Sequence, residues 1–118
     1  MEPPIVLDVG AGVSKGGFAG SETPTATFPT VIRKPPRRVA ASWYVGEEAE
    51  VGSGDGWQTV WPLREGGTWD DIEPIFSRMF YEKLRVVPED HPLLLAEQPL
   101  EEVAVRDCMM QLMFESFS

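Results

Sequence analysis

The chain has 118 residues and a net charge of −9, from 19 acidic and 10 basic side chains. That length holds one small domain, and its 42% apolar and 25% charged residues are those of an ordinary globular chain. The acidic balance excludes a general nucleic-acid binder and a surface that docks on anionic lipid, since both need a basic face.

Met1 to Pro4 offers an acid and two prolines, not a basic stretch followed by an apolar one. No secretory signal and no membrane-spanning run is therefore expected. Ile5 to Asp8 is a short apolar run ending in an acid, followed by Val9-Gly10-Ala11-Gly12-Val13 and then by Ser14 to Gly20. The pattern predicts strand, tight turn, strand. Thr25 to Ile32 predicts a third strand, bent or at an edge because of Pro29. Arg33, Lys34, Arg37 and Arg38 fall in a proline-broken stretch that reads as a solvated loop, or as a contact loop for an acidic protein surface. Trp43 to Gly46 reads as extended, Glu47 to Glu50 as one helical turn, Gly52 to Gly56 as a turn, and Gln58 to Trp61 as a strand closed by Pro62.

Ile72, Ile75, Phe76, Met79, Phe80 and Leu84 recur at helical spacing and predict a helix from about Ile72 to Leu84. Thr68 and Asp71 form a loose capping box ahead of it, and Pro74 is tolerated if it falls in the first turn. His91 to Ala96 is an apolar run without alternation, as in a strand covered on both faces. Glu101 and Glu102 open a second helix whose apolar stripe is Val105, Met109, Leu112, Met113 and Phe117. The order of elements predicts an α/β fold: a mixed sheet with flanking helices.

One cysteine, Cys108, excludes an internal disulfide, and its apolar neighbours favour a structural thiol. A reducing, intracellular location follows as the expectation. His91 beside Pro92 reads as structural, and the four tryptophans (43, 57, 61 and 69) read as packing groups or as part of an interface.

The chemistry-bearing segment is Asp8 to Gly20. A turn built from Gly10, Ala11, Gly12 and Val13 presents backbone N–H groups with no side chain blocking an anion. Lys15 on the returning strand can set an ammonium beside the same phosphate. Asp8, before the turn, can hold a magnesium ion through water. A plain hairpin without ligand satisfies the same spacing. The pattern is neither a Walker loop nor a Gly-rich dinucleotide turn.

Asp8-Val9-Gly10-Ala11-Gly12-Val13-Ser14-Lys15-Gly16-Gly17-Phe18-Ala19-Gly20 resembles the first phosphate loop of the actin family. The resemblance continues through Phe28-Pro29, Tyr44 to Ala49, Trp61-Pro62-Leu63, Trp69 to Glu73 and Phe80 to Val86. It runs on through Pro88 to Pro92, Glu97 to Leu100 and Met113 to Phe117, in the same order as in actins. It implies a partial actin-like, ribonuclease H-like ATPase lobe. Residues 1–30 and 57–118 would form the main sheet and helices, and 31–56 a shortened small-subdomain insertion.

The departures from the family shape the functional expectation. Ala11 stands where actins place a phosphate-touching serine, and Val9 where they place an asparagine. Both changes remove polar partners. The loop between Phe28 and Tyr44 is short and carries prolines and arginines, so ordinary filament contacts are not implied. A second short deletion precedes Trp69, Glu65 takes the place of a histidine common in actins, and Pro74 replaces a helix-compatible residue. The second phosphate loop, the adenosine pocket and the water-positioning glutamine of the family come from later sequence.

The resemblance therefore implies a truncated actin-like cytoskeletal or scaffold protein with a degenerate phosphate hairpin and no ATPase activity of its own. ATP or ADP with Mg²⁺ would bind only together with the remainder of the fold. The alternatives are an ATP-binding actin-related protein of which this is a fragment, and a stand-alone interaction module. Implied partners are proteins, namely actin or cytoskeletal complex subunits, with no nucleic acid and no membrane. The implied location is the cytoplasm and cytoskeleton, with the nucleus as a second compartment. A lobe alone would leave the faces of Leu93 to Leu95 and of the last helix partly exposed, predicting marginal stability or association.

Overall fold

The computed structural model describes residues 2–50, 54, 56–64, 67–96 and 103–117. In chain order its elements are β1 (Ile5–Val9), β2 (Val13–Phe18), β3 (Ala26–Pro29), β4 (Ile32–Lys34), β5 (Tyr44–Val45), α1 (Glu47–Glu50), β6 (Gln58–Val60), α2 (Glu73–Ser77), β7 (Leu93–Leu95) and α3 (Val103–Ser116). A 3₁₀ turn at Trp69–Asp71 precedes α2, and seven residues of wider, π-type helix, Arg78–Leu84, continue it.

β1 and β2 pair antiparallel, with Asp8 opposite Lys15 and Val9 opposite Ser14. β3 pairs antiparallel with β2, and β7 lies parallel to β1, giving a mixed sheet in the order β3-β2-β1-β7. A second sheet, β5-β4-β6, is antiparallel. The α/β class with a mixed sheet and flanking helices is the one the sequence predicts.

The alternation of β1 sends Ile5, Leu7 and Val9 into the core, where they meet the buried stripe Ile72, Ile75, Phe76, Met79, Phe80 and Leu84. Gly16, opposite Leu7, lets the helix come close: a Cβ there would lie 2.5 Å from Met79 Sδ and 2.9 Å from Leu7 Cδ2. The end of α3 docks through Phe117, whose ring is 5.2 Å from Phe80 and 6.1 Å from Phe76. Met109 and Met113 are also buried, as the predicted stripe requires.

At the start of α2 the Asp71 carboxylate accepts the Thr68 N–H at 3.0 Å. Pro74 sits in the first turn of α2, where a missing N–H removes no helical bond. Arg85 ends the helical segment in the left-handed conformation (φ 55°), and the Arg85 and Val86 N–H groups both reach the Phe80 carbonyl.

Three expectations are corrected. The run Thr25 to Ile32 is two strands in two sheets, because the chain turns at Thr30 and Val31, whose N–H bonds to the Pro29 carbonyl at 2.9 Å. The basic cluster is not one solvated loop. Arg33 is 4% exposed in β4, with its guanidinium over the Trp57 ring, and Lys34 pairs with buried Asp71 at 2.6 Å, while Arg37 and Arg38 are exposed. β7 is the edge strand of its sheet, with Leu93 and Leu94 exposed instead of covered on both faces.

His91 is structural as expected, its Nδ1 lying 2.8 Å from the Pro3 carbonyl oxygen. Cys108 is half-buried. The residues Glu65, Glu97 to Leu100, Glu101 and Glu102 lie outside the described residues, as does much of the predicted turn at Gly52 to Gly56.

Candidate functional site

The site is the tip of the β1–β2 hairpin. Register places Gly10 and Val13 at the ends of a two-residue turn, Ala11-Gly12, closed by the Gly10 N–H donating to the Val13 carbonyl at 3.0 Å. A Cβ on Gly10 would lie 3.1 Å from that carbonyl, so the tightness of the turn accounts for a glycine there. The N–H groups of Ala11 and Gly12 have no acceptor among the described residues. Ala11 is exposed and Val13 is 43% exposed, so an anion can reach the turn.

Thr30 anchors the tip from behind. Its N–H donates to the Gly12 carbonyl at 3.0 Å, and its hydroxyl shares a 2.6 Å hydrogen bond with that of Ser14. Both residues are fully buried. Ser14 carries the hydroxyl nearest the turn in sequence, and the structure turns it inward, away from any ligand.

Asp8 and Lys15 face each other across the strands on the side away from the core. Lys15 is exposed and Asp8 half-buried, and neither is ion-paired among the described residues. Both line an open pocket of about 350 Å³, shared with Val6, Gly17 and the segment Gly20 to Pro24. The structure thus brings Gly10, Ala11, Gly12 and Val13 together as one turn, with Asp8 and Lys15 as a cross-strand pair next to it.

The donor set suits a phosphate: two unengaged backbone N–H groups and a nearby ammonium. For magnesium, the described residues hold no cluster of three or more His, Cys, Asp or Glu that could cage an ion. A single free carboxylate, Asp8, fits an ion that keeps its waters and is carried mainly by phosphate oxygens.

Two residues of the site were not singled out in the sequence. Thr30 lies within the predicted strand Thr25 to Ile32, without any motif. Arg64 reaches the turn from beyond Trp61-Pro62-Leu63: a Cβ on Gly12 would lie 3.5 Å from its Nη2. No local spacing signals a contact between segments so far apart in the chain. Among the described residues no helix is long and apolar enough to cross a membrane.

The family model described as Actin matches residues 1–118. A curated "Actin-like protein" of Neurospora crassa is 37% identical over 123 residues, covering 98% of this chain and 32% of its own length. The chain therefore spans about a third of that relative. With its full length matched and a hairpin-led mixed sheet at its centre, the chain belongs to the actin family.

Proposed function

We propose that this chain is an actin-like scaffold component whose hairpin holds the phosphates of a nucleotide weakly and does not hydrolyse them. The observation that carries the reading is the fate of the hydroxyls at the turn. Ala11 has none, and that of Ser14 is fully buried against Thr30. Backbone N–H groups and Lys15 can grip a phosphate, but in-line hydrolysis also needs a positioned water and charge neutralisation from a second side.

When magnesium arrives with the phosphates it neutralises their charge, and Asp8 would hold it through water. Lys15 would sit against the phosphate from the returning strand. The division into a main lobe (1–30 and 57–118) and a small insertion (31–56) belongs to this reading. So do protein partners such as actin or cytoskeletal complex subunits, and a place in the cytoskeleton of cytoplasm or nucleus. A second reading is favoured by the greater length of the Neurospora protein: the same residues would serve an ATP-hydrolysing actin relative within a longer polypeptide.

Titration of the chain with ATP and magnesium, together with a phosphate-release assay, tests the proposal. The expected result is weak binding, lost in Lys15→Ala, and no release above the spontaneous rate. Magnesium-dependent ATP binding tighter than about 1 μM, or turnover by this chain, would overturn it in favour of the second reading.

A further inference from the structure

We infer that Arg64 is a second cation of the hairpin and that the site takes the doubly charged end of a polyphosphate. The inference rests on the phosphate reading of the hairpin and extends it to an element remote in sequence. Arg64 Nη2 stands 3.5 Å from where a Gly12 side chain would begin, so the guanidinium lies against the turn at van der Waals distance.

Two features hold the guanidinium there. The chain turns tightly from Trp61 to Arg64, with the Arg64 N–H donating to the Trp61 carbonyl at 2.9 Å. The guanidinium then stacks on the Trp61 ring, 4.1 Å from its centroid. Stacking of this kind fixes the plane of the group while leaving its N–H edge free to donate.

Among the described residues that edge is unengaged. Among the described residues Lys34 has Asp71, Arg78 has Glu48 and Glu82, and Lys83 lies 4.0 Å from Glu47, whereas Arg64, like Lys15, has no acid partner. Arg64 has neither a carboxylate nor a carbonyl acceptor for its guanidinium among the described residues. In a chain of net charge −9, an arginine with no acid partner among the described residues, beside two unengaged backbone N–H groups, makes a local anion trap.

The geometry also sets the class of anion. Lys15 is a point charge on one strand, whereas Arg64 presents a planar fork from a segment remote in the chain. A terminal phosphate offers several oxygens and can engage the fork and the backbone N–H groups together. Arg64 supplies from a second element the polar contact that Ala11 cannot.

The test is a titration of the ¹⁵N-labelled chain with inorganic pyrophosphate, read at individual backbone amides. Saturable shifts are expected at Ala11 and Gly12. Arg64→Gln should weaken binding tenfold or more, and Trp61→Leu, which keeps the charge but removes the stack, severalfold. Arg37→Gln, which removes an exposed cation of the proline-rich segment, should leave affinity within twofold. Unchanged affinity in Arg64→Gln, or an equal loss in Arg37→Gln, would overturn the role of Arg64 and leave the hairpin reading standing. Absence of any shift at Ala11 and Gly12 in the unaltered chain would overturn both. Arg64 is exposed, so retained amide dispersion in Arg64→Gln checks that folding is not the cause.

Discussion

The hydrogen bond between Ser14 and Thr30 ties the hairpin tip to the junction of the two sheets, and its removal has a calculable cost. Both residues are 0% exposed and their oxygens are 2.6 Å apart. Thr30→Val keeps the branched shape but leaves the Ser14 hydroxyl buried without a partner. Such an orphan costs about 1–3 kcal/mol. Ser14→Ala strands the Thr30 hydroxyl in the same way. Replacing both leaves no orphan, so the double variant should approach the stability of the parent. The cycle should then give a coupling as large as the two single costs together, roughly 2–6 kcal/mol. With a urea slope of about 2 kcal/mol per molar, each single variant moves the unfolding midpoint down by roughly 0.5–1.5 M. Urea titrations followed by tryptophan fluorescence and by circular dichroism would measure this, with an unchanged slope showing that stability alone has shifted. Single variants that cost less than about 0.5 kcal/mol, or a double variant equal to their sum, would refute the view that the bond closes a sealed polar pair.

Three further outcomes follow from the packing. Lys34→Met should cost about 3 kcal/mol, because the Asp71 carboxylate is 1% exposed and would lose its cation, whereas Asp71→Asn keeps an acceptor for Thr68 and should cost less; thermal melts of both distinguish them. Gly16→Val should cost about 1–3 kcal/mol by pressing on Met79 and Leu7, read as a lowered urea midpoint. Arg85→Gly should stabilise by about 0.5–1 kcal/mol, since glycine relieves the left-handed backbone at φ 55° by slightly more than it loosens the unfolded chain, and a raised melting temperature would show it.

Much of the fold was legible because its signals are local. The apolar run Ile5 to Asp8 reads as a strand, and Ile5 and Leu7 within it are buried. Ile72, Ile75, Phe76, Met79, Phe80 and Leu84 keep the helical spacing, and all six are buried. What escaped the sequence depended on partners. Arg33 sits among prolines and basic residues, yet pairing with β5 and β6 draws it beneath Trp57. The apolar run Leu93 to Leu95 suggests a strand covered on both faces, and its place at the sheet edge instead leaves Leu94 63% exposed, as expected of a lobe alone. Nor did apolar spacing show that Thr30 and Val31 would divide one run between two sheets. At the site, the turn residues were legible from their glycines, whereas Arg64 and Thr30 reach it through contacts that no local pattern encodes.

The same structure separates the parts of the hairpin that the fold needs from those it does not. Gly10 is accounted for by the tight turn, Gly16 by the approach of Met79, and Ser14 by its buried bond to Thr30. An actin-like lobe would keep these three residues whether or not it ever met a nucleotide. Their presence is therefore evidence of the fold and not of phosphate binding. Asp8, Lys15 and Arg64 stand differently. None of their charged groups has an acid or base partner among the described residues, and none of these side chains fills the core. No ion pair among the described residues accounts for these three charges close to the turn, and the only contact that fixes one of them is the stack of Arg64 on Trp61. Variants at these three positions should thus change anion binding while leaving the melting temperature nearly fixed, and variants at Gly10, Gly16 and Ser14 should lower stability first.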